Sequence, residues 1–201
     1  MRTIPTALAF VLASILCVSG CGRARYPSYY TLNLPPAPDP IAEGVHVSIA
    51  VREFQSPSYL RQGPIVYRAT PEQIGFYEYH RWATDPRVFL TNAVLDSLRA
   101  SGHYSAVSLY DGHADTDYVL SGRLEKLEEV DCDAGTKVEV AMSAQITRVS
   151  TGAAVWSNSV SEVGTVSKHN VAGVVSQMNR TTEVALTKLL STIPEYPNDP
   201  K

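Results

Sequence analysis

The chain has 201 residues, of which 44% are hydrophobic, and this is enough for one domain with a real core. Its 17 basic residues are outnumbered by 20 acidic ones, giving a formal charge of −3. With no basic patch either, this balance argues against nucleic-acid binding.

The first 21 residues predict a bacterial lipoprotein signal. Arg2 gives a positive start, residues 7–18 are apolar, and the run ends in Val18-Ser19-Gly20-Cys21. Small residues before a cysteine suit a lipoprotein signal peptidase, and the thiol is the atom that takes the lipid. We therefore predict that residues 1–20 are removed and that Cys21 carries diacylglycerol and an acyl chain such as palmitate. Ordinary secretion and a retained anchor are the alternatives, although the apolar run is short for a transmembrane helix.

The residue after the cysteine indicates a location. It is Gly22, whereas Asp at this place retains lipoproteins in the inner membrane of many Gram-negative bacteria. We therefore predict a periplasm-facing protein anchored in the outer membrane, rather than in the outer leaflet of the inner membrane. Losing the signal removes Arg2 and no acid, so the formal charge falls from −3 to −4.

Residues 21–44 are predicted to be a proline-rich tether and residues 45–196 a single domain, followed by a tail at 197–201. The tether is interrupted by Tyr29-Tyr30-Thr31-Leu32, an aromatic, β-prone quartet that we expect to dock on the domain.

The first half of the domain shows strand and helix signals in turn. Alternation over residues 45–51 predicts a strand, and residues 65–68 and 74–79 predict a hairpin. Asp85-Pro86 predicts the start of a helix that ends at Gly102, with Val88, Leu95 and Leu98 in its buried stripe.

The second half predicts a strand meander and a long helix. Strands are expected over residues 104–110, 118–130, 137–149 and 153–161. In the second of these, Leu124 and Leu127 differ in parity, which predicts a bulge near Glu125-Lys126. Helical spacing of apolar residues predicts a helix over residues 171–193. The element order predicts one α/β or α+β domain, with a mixed sheet covered by helices.

No catalytic motif is present in the sequence. Residues 111–117 carry alternating acids, but a calcium loop starting at Asp111 would lack its central glycine and would have Gly122 in place of its terminal glutamate. We therefore predict a solvated turn and no metal. Cys132 is expected in a loop, where two flanking aspartates raise the pKa of its thiol. The aromatic-rich N-terminal half is expected either to pack the sheet or to form a partner surface.

Several segments resemble the auxiliary lipoproteins of ABC-type transport systems, in particular the paraquat-inducible protein C type. The segments that carry the resemblance are Tyr29-Tyr30-Thr31-Leu32, Tyr59-Leu60-Arg61, Ile65-Val66-Tyr67-Arg68, Trp82-Ala83, Asp117-Tyr118-Val119-Leu120-Ser121-Gly122 and the C-terminal helix. Together they span nearly the whole mature chain.

The resemblance implies a three-layer α/β/α domain of the anticodon-binding-like class and a role without catalysis. It also implies a mammalian-cell-entry (MCE) domain protein as partner, a separate ABC permease and ATPase, and a homo-oligomer. No cofactor is expected beyond the lipid on Cys21. The candidate partner interface consists of Tyr29, Tyr30, Leu32, Arg61, Tyr67, Arg68 and Trp82.

Two functions follow as hypotheses. The first is a lipid-anchored component that docks the conduit of an MCE-type lipid transport system at the outer membrane. The alternative is a structural lipoprotein that assists the assembly of an outer-membrane protein. A neighbouring gene for an MCE-domain protein or an ABC permease would separate them.

Overall fold

The computed structural model describes residues 25–34, 45–112, 115–132, 135–168 and 170–194. The predicted signal peptide, the lipid site at Cys21 and the tail at 197–201 lie outside these residues. None of the helices in the described part of the chain is long and apolar enough to cross a bilayer.

Within these ranges the chain forms an open mixed sheet of eight strands with two α-helices, which confirms the predicted single α/β domain. The strands are β1 (Ser28–Tyr30), β2 (Val45–Val51), β3 (Pro64–Thr70), β4 (Gln73–Trp82), β5 (Tyr104–Leu109), β6 (Tyr118–Cys132), β7 (Gly135–Arg148) and β8 (Ala154–Thr165). The helices are α1 (Pro86–Ser101) and α2 (Val171–Leu190), with a 3₁₀-helix at Ser58–Arg61.

The long strand β6 organises the sheet. Its whole length pairs antiparallel with β7, which in turn pairs with β8. Along its other edge, β6 pairs parallel first with β2 and then with β3. Strand β5 extends the sheet beyond β2, while β4 and then β1 extend it beyond β3. In the order β1-β4-β3-β6-β7-β8, strands β1 and β8 are therefore the two edge strands.

The predicted bulge in β6 is confirmed. The pairing register with β7 shifts between Leu124, opposite Met142, and Lys126, opposite Ala141. The extra residue, Glu125, lets the side chains of Leu124 and Leu127 both reach the core, where neither exposes more than 1% of its surface.

Helix α1 has the predicted ends. The side chain of Asp85 accepts a hydrogen bond from the backbone N–H of Arg87, and Gly102 adopts φ 66°, a left-handed conformation suited to glycine. The buried stripe differs from the prediction at one residue, because Val88 is 38% exposed. The centre of the stripe runs through residues such as Leu90 and Leu98, and Val88 lies at its margin in the first turn.

Helix α2 covers β7 and β8. The inward residues of β7 alternate as predicted, and they are completely or almost completely buried: Val138, Val140, Met142, Ala144 and Ile146. Most strand limits differ from the sequence prediction by a few residues, and three differences matter for the sheet and its cover. Strand β8 runs on to Thr165, α2 ends at Leu190, and Cys132 ends β6 opposite Gly135 instead of lying in a loop. Cross-strand pairing extends both strands beyond what local alternation indicates.

Candidate functional site

The N-terminal segment is built into the sheet before the domain's first long strand. Strand β1 pairs parallel with residues 80–82 of β4, and Tyr30 Oη lies 2.9 Å from Nδ1 of His80 in a hydrogen bond. Leu32 is 4% exposed and belongs to the core. The backbone N–H of Asn33 donates to the side chain of Asn179 on α2. The quartet at 29–32 therefore docks on the domain, and the sheet includes residues that the sequence places in the tether.

Arg68, a candidate interface residue, forms an ion pair with a buried carboxylate. Its Nε and Nη2 donate to the two carboxylate oxygens of Glu128 at 2.8 and 3.1 Å, and its Nη1 donates to the backbone oxygen of Pro71 at 2.7 Å. The Glu128 side chain is completely buried, while that of Arg68 is 18% exposed. The hydrogen bonds to Glu128 raise the pKa of the Arg68 guanidinium. This bidentate geometry fixes Arg68 in the domain.

A second buried acid lies one residue further along β6. The hydroxyl of Tyr77 donates to Oε2 of Glu129 at 2.7 Å, and burial is the main reason that the pKa of Glu129 is raised. Burial also raises the pKa of Tyr77, with the carboxylate adding to the effect. Both side chains line a cavity of about 300 Å³ under the first turn of α2, beside Asn170 and Val174.

The remaining candidate interface residues differ in exposure. Trp82 is 6% exposed and lies in the core, and Tyr67 packs over Gly75 with its ring 5.2 Å from that of Tyr77. Tyr29 is 62% exposed, and Arg61 is exposed at the end of the 3₁₀-helix. A partner can thus touch Tyr29 and Arg61 without rearrangement of the core, and the interface as a whole stays a prediction.

The structure also forms a polar groove that the sequence prediction missed. It encloses about 350 Å³, and its lining includes Arg52, Glu53, Ser121, Arg123, Ser143 and Gln145. The Arg52 guanidinium lies 4.6 Å from the centre of the Tyr110 ring, and Glu53 pairs with Arg87 at 3.5 Å. The sequence signal for this groove is the set of polar residues that alternate with buried residues along β6 and β7.

Asp117, at the end of the acidic segment before β6, is hydrogen-bonded within the domain. Oδ2 of Asp117 accepts hydrogen bonds from the backbone N–H and the hydroxyl of Ser48 at 2.7 and 2.8 Å. These bonds lower the pKa of the Asp117 carboxyl. Across the residues that the structure describes, no group of three or more His, Cys, Asp or Glu could hold a metal ion; His113 and Ala114 lie outside them.

Comparison with known proteins identifies the family of this chain. Residues 30–189 match the family model for the ABC-type transport auxiliary lipoprotein component. The chain belongs to the ABC-type transport auxiliary lipoprotein family. The match begins at Tyr30 in β1 and ends at Leu189 in α2, so it takes in every element described above except the start of β1 and the last residue of α2.

Solved structures support the same fold. The protein XCC0632 from Xanthomonas campestris, of the DUF330 family model, is 19% identical with a TM-score of 0.71; the match covers 81% of this auxiliary lipoprotein and 92% of that chain. A second structure, of an uncharacterized protein, is 15% identical with a TM-score of 0.65 and coverages of 84% and 99%. At these identities the likeness shows the fold alone. No curated protein matches the chain significantly.

Proposed function

We propose that this auxiliary lipoprotein is a non-enzymatic component, anchored by lipid on Cys21, that docks the MCE-protein conduit of an ABC-type lipid transport system at the outer membrane. The family match over residues 30–189 carries the proposal. The permease and the ATPase are separate chains, and the chain needs no cofactor beyond its lipid. Support for the anchor comes from Val18-Ser19-Gly20-Cys21, and support for the outer membrane comes from Gly22.

The exposed arginine of the candidate interface is the best place to test docking. Arg61 ends the 3₁₀-helix with its side chain exposed, and arginine is over-represented among residues that dominate binding energy. Arg68 is a poor test, since removing it leaves the Glu128 carboxylate buried without its cation. Arg180 on α2 offers a matched control, because it is also exposed and pairs only with Gln177 among the described residues.

Edge strand β8 supports a homo-oligomer. It is 12 residues long and, within the described part of the chain, pairs only with β7. It carries one charged residue, Glu162, and no proline. Long edges of this kind are templates for pairing with another chain, so we propose that a second copy associates there.

The docking experiment measures capture of an MCE-domain protein from the same organism. Acylated wild-type protein, Arg61→Ala and Arg180→Ala are crosslinked to that partner in membranes, and the melting temperature of each variant is measured in parallel. We expect Arg61→Ala to melt as the wild type does but to capture less partner, and Arg180→Ala to match the wild type in both. Equal capture by all three would remove Arg61 from the interface, and no capture by the wild type would refute MCE docking.

The anchor is tested separately. Cys21→Ser removes the thiol that takes the lipid, so metabolic labelling with palmitate should disappear and the protein should leave the outer-membrane fraction. Labelling that persists in the variant would refute lipid attachment at Cys21. Wild-type protein that is labelled but fractionates with the inner membrane would refute the outer-membrane assignment alone.

A further inference from the structure

The distance between the lipid and the folded domain is limited by the short stretch of chain that joins them. Arg25, the first described residue, comes four positions after Cys21, and Ser28, where β1 begins, comes seven positions after it. A chain spans at most about 3.3–3.6 Å per residue, so Arg25 lies within about 14 Å of Cys21 and Ser28 within about 25 Å. A lipid-bearing Cys21 lies at the headgroup layer, and the β1 edge of the sheet is therefore held close to the bilayer.

The side chains at this edge have the chemistry of a membrane interface. Tyr26 is 85% exposed and Tyr29 is 62% exposed, and these are two of the largest apolar exposures in the described part of the chain. The Arg25 guanidinium lies 5.9 Å from the centre of the Tyr79 ring on β4. Tyrosine is enriched where a protein crosses from hydrocarbon to water, because its ring is apolar and its hydroxyl is polar.

Charge adds a second, independent argument. From Cys21 to Asn33 the sequence contains Arg23 and Arg25 and no acidic residue, although the whole chain has a formal charge of −3. Guanidinium groups pair strongly with phosphate, and basic residues beside a membrane anchor are attracted to anionic lipid headgroups. The segment next to the lipid is thus locally cationic in an acidic protein.

We propose that the membrane-facing edge of the domain is the β1 edge, with Arg25, Tyr26, Tyr29 and Tyr79 resting in the headgroup layer of the bilayer that holds the lipid. This assignment rests on lipid attachment at Cys21, which belongs to the proposed function. It also gives the domain an orientation. Five strand spacings of about 4.8 Å separate β1 from β8, so β8 lies about 24 Å further along the sheet. Tyr29 then contacts lipid, and Arg61 remains the exposed candidate for the protein partner.

A fluorescent label at two matched positions tests the orientation. Acylated full-length mature protein is reconstituted into vesicles of phosphatidylethanolamine and phosphatidylglycerol, without a partner protein. In a Cys132→Ser background, an environment-sensitive thiol label is placed by Tyr29→Cys or by Val163→Cys. Val163 is the control because it is also 62% exposed but lies on β8 at the opposite edge.

The expected result is a difference between the two labels. The label at position 29 should shift its emission to shorter wavelength on vesicle binding, gain intensity severalfold, and be quenched by lipids spin-labelled near the headgroup. The label at position 163 should keep the emission that it has before vesicles are added, whether or not a second copy pairs with β8. An unchanged label at position 29, or equal membrane contact at both positions, would overturn the proposal.

Vesicle flotation separates this outcome from failure of the anchor. Protein that floats while the label at position 29 stays in water keeps the lipid anchor and refutes only the membrane-facing edge. Protein that does not float refutes the anchor and the edge together. Melting curves for both labelled variants should match the unlabelled protein, because both substituted side chains lie mainly in solvent.

Discussion

Removing Arg68 should destabilise the domain strongly, because the carboxylate that it pairs with has no access to water. Glu128 is completely buried and receives two guanidinium hydrogen bonds from Arg68. Arg68→Ala would leave that charge without its cation, and breaking a buried pair in this way costs about 3–5 kcal/mol. Since Arg68 is itself 18% exposed, some water can enter, and we expect about 3 kcal/mol.

The size of the effect makes thermal unfolding a suitable assay. For a domain of this length, 1 kcal/mol corresponds to a shift of about 2–4 °C in melting temperature, so Arg68→Ala should melt roughly 6–12 °C lower. Arg123→Ala is the matched control, because it removes an exposed arginine from the same strand as Glu128. We expect that control to remain within about 0.5 kcal/mol of the wild type.

A double variant tests the cause. Arg68→Met, Glu128→Leu removes both charges together, so it should recover much of the loss. A deficit below 1 kcal/mol, or no recovery in the double variant, would refute the reasoning.

Three other perturbations follow from the packing. Gly122→Ala would place a Cβ 2.2 Å from the ring of buried Phe54, so chemical denaturation should show a loss of about 1–3 kcal/mol, and a neutral change would disprove the close contact. Burial raises the pKa of Glu129, so the wild type should lose stability as pH rises above the ordinary value of 4.5; Glu129→Gln should remove that loss, and parallel pH profiles would contradict it. Truncation after Gly173 deletes most of α2 and uncovers the apolar face of β7, so we expect insoluble protein, whereas a soluble fragment with a cooperative melt would place α2 outside the core.

The sequence was sufficient to predict those features of the fold that depend on residues close together in the chain. Both ends of α1 follow from Asp85-Pro86 and Gly102, which act on their own backbone neighbours. The bulge at Glu125 could be predicted because it reverses the parity of residues that lie within one strand. Val88 is predicted to be buried but is 38% exposed, because helical spacing alone does not define where the buried stripe ends.

Long-range pairing could not be predicted in the same way. Nothing in the quartet at 29–32 indicates that β1 pairs with residues 80–82, because that contact joins segments 52 residues apart. The same holds for Arg68 and Glu128, which are separated by 60 residues. The arginine was therefore assigned to a partner surface from its residue type alone, and only the register of β3 against β6 shows that its charge is used within the domain. For the candidate interface, side-chain exposure could not be predicted from residue type.

The pairing of β1 also changes what the proline-rich segment can do. A free tether from Cys21 to residue 44 would let the domain move far from Cys21, whereas pairing of residues 28–30 with β4 means that the sheet begins seven residues after Cys21. The prolines at 35–40 then lie between two strands of the same sheet and add nothing to the reach from Cys21. An auxiliary lipoprotein built in this way keeps the start of β1 within about 25 Å of Cys21. If Cys21 carries the proposed lipid, a protein partner has to approach the domain near the bilayer, and the surface it meets depends on which sheet edge faces the membrane.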